Sequence, residues 1–422
     1  MSVAITATLP IEGKRTLSHR LHLLYMLALG LRLQLQIWLG RWFSQPAKPG
    51  QLPFSRDQIS APWIESALQQ QYPGAQADQV YIDAIHEGTT SHNTLRVVYR
   101  DGSAHTQQPA TLFYKSPESW KSRLAVGLAG LIKVEHDFFR LAAPHLDQIE
   151  IPVCHFTGYA PSRLYGAQLM NDLQGEGAQW CNADESLNFT QCQQFLQAIA
   201  HLHARFWVTT PLYNEVASQF PDNLSCGFQQ GYRRSGPRDI DRGVAMTRGK
   251  ELSESLAGRI DETWPAYWKV MTINTRHPVQ TLIHGDLHLR NLYWTADQQP
   301  GLSDFQMVRL CHPAMDVGNF LIANLEPQDR RKWEQDLIRY YLEQLREEGI
   351  GNAPDFDDFW EMYCLQPVYY VRMWIQTLGF TAVYPDMQPA SVCRQYIRRV
   401  CTAMTELETL DRLGEFSDSG GK

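Results

Sequence analysis

The sequence predicts an α+β chain of two lobes, a small antiparallel β-rich lobe followed by a larger, mainly helical one. Three observations carry this. Three β-rich runs, "QVYIDAIHEG" (79–88), "NTLRVVYRDG" (93–102) and "ATLFYKS" (110–116), are separated by turn residues, the pattern of a meander. "LMNDLQGEG" then breaks the regular pattern and marks a lobe boundary near 171–176. Beyond it the chain is dominated by helical periodicity, clearest in "TQCQQFLQAIAHLHARFW" (190–207), where Phe195, Ile199, Leu202 and Phe206 share a face.

The elements follow in order. A short helix is expected over 60–74, with Ser60 as N-cap, Pro62 in its first turn and Gly74 past its end. One apolar helix should run over 120–143, carry Glu135 and stop at Pro144. Strands are expected at 150–158 and 163–170, and further helices at 329–349, 355–380 and 389–412. The domain division is then an N-terminal extension (1–50), an N-lobe (51–172), a C-lobe (173–415) and a frayed tail (416–422).

Composition excludes several classes. A net charge of −7 argues against nucleic acid as a partner. Eight scattered cysteines with no C-x-x-C pair exclude a zinc ribbon or a disulfide scaffold and point to a reducing, cytoplasmic location. Residues 1–48 depart from the rest, with six basic groups and one acid, a net of +5. Within them "LHLLYMLALGLRLQLQIWLG" (21–40) allows three readings. A spanning helix has the length but would set Arg32 near the bilayer centre, at a cost of roughly 2.5–3.5 kcal/mol. An interfacial helix, with peripheral membrane contact through residues 18–43, suits a basic segment rich in Leu and Trp. A helix packed on the protein's own surface is the third.

The densest chemistry lies in "HGDLHLRN" (284–291). As H-x-D-x-H it offers three zinc-type ligands, but no acidic or Cys cluster nearby completes such a site. A phosphoryl-transfer reading uses more of it. Asp286 can accept the proton of an attacking hydroxyl, and Asn291, five residues on, can offer an amide oxygen to magnesium. "LYWTADQQPGLSDFQ" (292–306) reads as a hairpin that returns Asp304 beside the loop, with Gln306 where an Asp-Phe-Gly triplet would have glycine. Lys115, at the end of the third strand, and Glu135, on the following helix, are placed to form the pair that holds nucleotide phosphates. "EGTTSHNTLRV" (87–97) occupies the position of a phosphate-covering loop; it has one glycine, Gly88, and Thr89, Thr90 and Ser91 as small donors.

"LFYKSP", "VEHDFF", "MNDL", "HLHARFW", "HGDLHLRNLYW", "SDFQ" and "HPAMDVGNF" together resemble the kinase-like small-molecule phosphotransferases, the group of aminoglycoside phosphotransferases and choline kinases. Within that group the sequence is most similar to the ecdysteroid kinase-like family, from about Ile59 to about Leu410. The resemblance implies a protein-kinase-like two-lobed fold and the use of ATP and Mg2+. It implies Asp286 as catalytic base, Asn291 and Asp304 as metal ligands, and Lys115 with Glu135 as the nucleotide-holding pair. It implies a hinge under the adenine at Leu169, Met170, Asn171 and Asp172, His284 and Asp316 as supports of the catalytic loop, and His203 as a structural residue beneath it. "MNDL" departs from the insect members, which usually have glutamate where Asn171 stands.

The expected activity is phosphorylation of a small-molecule hydroxyl acceptor. The alternative is an inactive nucleotide-binding scaffold associated with a membrane or partner protein. Protein acceptors are disfavoured, because no A-P-E segment lies between Asp304 and Asp316. Two acceptor chemistries stay open. The aromatics of 355–380 (Phe356, Phe359, Trp360, Tyr363, Tyr369, Tyr370, Trp374) suit a steroid-like or other lipophilic alcohol if they line a pocket rather than the core. Asp355, Asp357, Asp358 and Glu361 suit an aminosugar or choline-like cation if they are more than a helix start.

Overall fold

Alternation of apolar and polar residues builds the first lobe. In a computed structural model that describes residues 17–42, 45–100, 108–226, 241–247, 251–252, 254–379 and 387–416, strands β1 (Ala77–Glu87), β2 (Ser91–Tyr99) and β3 (Thr111–Ser116) form the meander. β4 (Cys154–Ala160) and β5 (Tyr165–Asn171) complete an antiparallel sheet in the order β1-β2-β3-β5-β4. β2 turns Leu95 and Val97 inward, where they meet Leu112, Tyr114 and Leu169 and the apolar face of α2 (Ala61–Leu68), with Trp63 and Ile64. α2 is shorter than expected: it stops before the "QQQ" run, and Gly74 lies in a later turn at φ 89°.

The single helix expected over 120–143 is three pieces. α3 (Trp120–Leu128) ends at a turn in which Gly130 takes φ 75°, a left-handed conformation that glycine adopts without steric cost. α4 (Leu131–Asp137) then carries Glu135, and a π-helical turn (Phe138–Ala142) follows before Pro144. The break lets α4 lie against the sheet. A Cβ on Gly166 of β5 would run into Ile132 of α4 and sit 2.6 Å from the carbonyl oxygen of Gly158.

In the second lobe, α5 (Phe189–Arg205) starts at a reciprocal cap between Asn188 and Gln191. It packs beside α8 (Pro327–Glu347); α6 (Thr263–Arg276) and α7 (Ala314–Asn324) contribute to the same core. The helix expected over 355–380 is divided at Pro367, which lacks the N–H a continuing helix needs, into α9 (Phe356–Leu365) and α10 (Pro367–Gly379). α11 (Ala390–Glu406) packs on α10. A two-residue strand, β6 (Gln179–Trp180), pairs with the expected hairpin of β8 (Leu292–Trp294) and β9 (Pro300–Leu302). β7 (Thr281–Ile283) and β10 (Arg309–Cys311) pair with each other, so the segment 284–308, which contains the β8–β9 hairpin, is closed at both ends by one ladder.

α1 (Leu17–Trp42) docks on the first lobe. Gly30 lies against Trp120 and Leu124, Leu33 and Ile37 are buried, and Arg32 donates to the Ser162 carbonyl at 2.8 Å. The packed-helix reading therefore holds for one face. Among the described residues no helix is long and apolar enough to cross a membrane. The tail expected over 416–422 lies outside the described residues beyond Phe416.

Candidate active site

Both oxygens of Asp316, on α7, receive backbone amides of the loop: His284 N–H at 2.7 Å and Gly285 N–H at 2.8 Å. His203 of α5 adds a bond from Nε2 at 3.2 Å, and the Tyr341 hydroxyl donates to its Nδ1 at 2.7 Å. Burial pushes the Asp316 carboxyl up, but His203 and these amides outweigh it and hold the group below the usual carboxylate range. Gly285 sits at φ 82°, and a Cβ there would run into the Arg309 guanidinium and the Met307 carbonyl. The His284 ring lies inside the loop. Its Nε2 donates to the Ser303 carbonyl at 2.9 Å and its Nδ1 accepts from Asp286 N–H at 3.3 Å, which fixes the neutral tautomer. Burial lowers its pKa in the same sense.

This frame presents Asp286 half-buried at the edge of a cavity of about 880 Å3. Asn291 donates from Nδ2 to the Asp286 carbonyl at 2.8 Å and to Oδ2 at 3.3 Å. Its amide nitrogen is thereby committed, and its amide oxygen is the atom left for a cation. Ser303 ties the returning strand to the loop, with N–H and Oγ both on the Asn291 carbonyl at 2.9 and 3.0 Å. Asp304, next in the chain, takes φ 65° and lines the cavity. Its Oδ2 accepts from Gln306 at 3.3 Å, so the residue standing in place of glycine orients the carboxylate. Its Oδ1 accepts from Lys115 Nζ at 2.7 Å, and Lys115 donates equally to Glu135 at 2.7 Å. Burial works against the Lys115 ammonium, but Asp304 and Glu135 hold its pKa above the ordinary value. Burial pushes Glu135 up, whereas in the half-exposed Asp304 the pull of Lys115 outweighs burial and keeps the carboxyl low. Phe305 stacks on Phe138 at 3.8 Å and touches His284 at 4.8 Å, joining the end of α4 to the loop.

The cavity gathers Gly88, Thr89, Thr90, Asp286, Asn291 and Asp304. Lys115 and Glu135 reach it through Asp304. Ser91 does not line it: this residue already belongs to β2, paired with Ser116 and buried, so of the expected loop only 88–90 reach the cavity. Nor do Leu169, Met170 and Asn171. They lie on β5 between β3 and β4; Leu169 is registered with Tyr114 on one side and Phe156 on the other, and the Asn171 side chain accepts from Val153 N–H at 2.8 Å. A backbone paired on both edges in this way has few groups left to offer a ligand.

Two features escaped the sequence reading. His288, singled out only as one of three zinc-type ligands, is buried against Trp374 and holds Nε2 3.6 Å from Asp286 Oδ2. The aromatics of 355–380 serve two tasks. All of Phe359, Tyr363, Tyr369, Tyr370 and Trp374 belong to the core, and those of α10, Tyr369, Tyr370 and Trp374, also line the cavity with Met373 and Leu378. Asp355 caps α9 by accepting from Asp358 N–H at 2.9 Å, and none of the four acidic residues there lines the cavity. Zinc finds no support: among the described residues no three His, Cys, Asp or Glu side chains group around one point. The Asn291 amide oxygen and the Asp304 carboxylate are hard donors that suit magnesium, which takes one or two protein ligands and completes its shell with phosphate and water.

A small lobe carrying a Lys–Glu pair, set over a loop that carries Asp, Asn and Asp, is the architecture of the kinase-like phosphotransferases. The ecdysteroid kinase-like family model matches residues 93–349, more than half of the chain, and the protein belongs to that family. Choline kinase from Cryptosporidium parvum Iowa II is similar in fold, with 11% identity and a TM-score of 0.51 over 84% of this chain and 98% of that one. An ethanolamine kinase from Plasmodium vivax matches with 10% identity and a TM-score of 0.46, over 89% and 94%. A macrolide 2'-phosphotransferase from Brachybacterium faecium matches with 16% and 0.42, over 75% and 93%. No curated protein matches the sequence.

The charge states give a pH dependence. His284 and His312 are buried, which lowers both below 6.5, so the unfolded chain takes up a proton at each as the medium becomes more acid and the folded chain does not. Asp316 is held below 3.8, so it stabilises the fold above that value and loses this as pH falls through its folded pKa. In each case the unfolded state binds more protons, and stability rises with pH. We expect the melting temperature to fall as pH drops below about 6.5 and to fall more steeply in the carboxylate range. Asp316→Asn should cost about 2–3 kcal/mol at neutral pH and show a shallower acid slope. A melting temperature flat from about pH 7 to pH 5 would contradict these assignments.

Proposed function

We propose that the protein transfers the γ-phosphoryl group of ATP, in the presence of Mg2+, to a hydroxyl group of a small lipophilic alcohol. The observation that carries this is the meeting of Asp286, Asn291, Asp304 and the Lys115–Glu135 pair around one cavity. Asp286 accepts the proton of the attacking hydroxyl, whose oxygen forms the new bond to phosphorus as the bond to the β-phosphate oxygen breaks and ADP leaves. Magnesium, when bound, neutralises charge on the phosphates, and Asn291 and Asp304 are the residues to hold it. Lys115, kept charged by its two carboxylates, meets the α- and β-phosphates, and Glu135 fixes its direction. Thr89 and Thr90 close over the phosphates from the β1–β2 turn. His288 positions Asp286 against the acceptor wall.

Replacing Asp286 by Asn should lower turnover by about 10²–10⁴-fold while ATP still binds. Replacing Lys115 by Ala should instead raise the KM for ATP. Product formation and nucleotide affinity, measured side by side, separate the two. Near-full turnover in the Asp286 variant would remove that residue from the chemistry, and no turnover by the unaltered protein on any alcohol would favour the inactive scaffold.

The cavity wall supports one acceptor class over the other. Tyr369, Tyr370, Met373, Trp374 and Leu378 are apolar or aromatic. Asp286 and Asp304 are the only carboxylates among the described lining residues, and Arg290 adds a positive charge. Such a wall favours a neutral, largely apolar alcohol over a polycationic aminosugar. In a panel of hydroxylated compounds read as ADP release, steroid-like and other lipophilic alcohols should be phosphorylated in preference to aminosugars and choline. Trp374→Ala should raise the acceptor KM by about tenfold or more, with the KM for ATP little changed. Faster turnover of aminosugars would contradict the assignment.

A further inference from the structure

α1 is apolar on two sides, and the fold covers one of them. Leu33 and Ile37 face the protein and are buried, with Gly30 against α3. At 3.6 residues per turn, Leu27, Leu31, Leu35, Trp38 and Trp42 fall within an arc of about 80° on the other side. They are 63%, 72%, 54%, 52% and 70% exposed. This stripe runs for about 22 Å along the helix axis. Single exposed leucines are ordinary, but a helix apolar on both sides is normally covered on both, and a continuous apolar stripe marks a contact surface.

Charge decides what covers it. Leu17–Trp42 contains no Asp or Glu, while Arg20, Arg32 and Arg41 are basic. By the same helical geometry Arg41 and Arg32 flank the apolar stripe on opposite sides. Residues 1–48 carry +5, which leaves −12 for the rest of the chain. A second copy laid on this face would set one basic helix against another. A bilayer surface bearing anionic headgroups complements it, with leucines and tryptophans entering the acyl boundary; Arg32 donates to Ser162 and Arg41 pairs with Asp57 at 3.6 Å, yet both stay exposed beside the stripe, within reach of headgroups.

We propose that α1 is an in-plane membrane anchor that holds the first lobe against an anionic lipid surface through Leu27, Leu31, Leu35, Trp38 and Trp42. The helix does not cross the bilayer, because its opposite face remains packed on α3. This inference is independent of the phosphotransfer reading.

The test uses the full chain and vesicles of phosphatidylcholine with or without phosphatidylserine. Unaltered protein should co-sediment with the phosphatidylserine vesicles, less with phosphatidylcholine alone, and less as salt is raised. Leu31→Glu and Trp38→Glu should each weaken binding by about tenfold or more. Their melting temperatures should be unchanged, since both side chains are exposed. Trp42→Glu is a second check should either variant fail to fold. Protein left in the supernatant with anionic vesicles would overturn the proposal. So would binding that all these variants retain, since another surface would then be responsible. A concentration-dependent dimer that Leu31→Glu dissolves, without vesicle binding, would make the face an interface between copies and equally overturn it.

Discussion

Asp316 is fully buried and remains charged, and the position of the site residues depends on how that charge is compensated. A lone carboxylate in such surroundings would cost several kcal/mol and would take up a proton instead. Here two amides of the loop and a histidine give it three hydrogen bonds. The compensation works in both directions, since the amides of His284 and Gly285 are themselves buried and would lack partners without it. One side chain on α7 thereby sets where the turn begins, and Gly285, in a conformation that excludes a side chain, sets its direction. Asp286 and Asn291 then follow by short chain geometry.

The two lobes meet in a second charged cluster. Lys115 comes from β3, Glu135 from α4 and Asp304 from the return of the hairpin, so one ammonium joins three separate elements. The stack of Phe138, Phe305 and His284 runs beside it and couples the end of α4 to the loop by packing. A shift of α4 would disturb the lysine and the loop together. The break at Gly130, which lets α4 settle against β5, therefore bears on the chemistry as well as on the fold.

Much of this was legible in the sequence because it is encoded locally. Alternation marks β2, turn residues mark the hairpin that returns Asp304, and the five-residue interval from Asp286 to Asn291 is a linear feature. The break between α3 and α4 was masked by the apolar residues that continue through it, although Gly130 is a local helix-end signal. The two roles within 355–380 were hidden as well: Phe359 and Tyr370 are alike in burial and both belong to the core, and only its place beside the cavity makes Tyr370 part of the wall too. That Leu169, Met170 and Asn171 stand away from the cavity was hidden because a strand paired on both edges looks, in one dimension, like a strand paired on one. Gln306 read as a missing glycine, whereas its amide supports Asp304 in three dimensions.

The proposed phosphotransfer requires Asn291 and Asp304 to hold magnesium beside the phosphates that Lys115 would meet. Calorimetric titration of ATP into the protein, with magnesium and with chelator, tests this directly when repeated on Asp304→Asn. The unaltered protein should bind ATP far more tightly with the metal than without it. The variant should lose most of that difference while keeping the metal-free affinity. Equal affinity with and without magnesium in the unaltered protein, or a magnesium effect that survives intact in the variant, would contradict the assignment of the site.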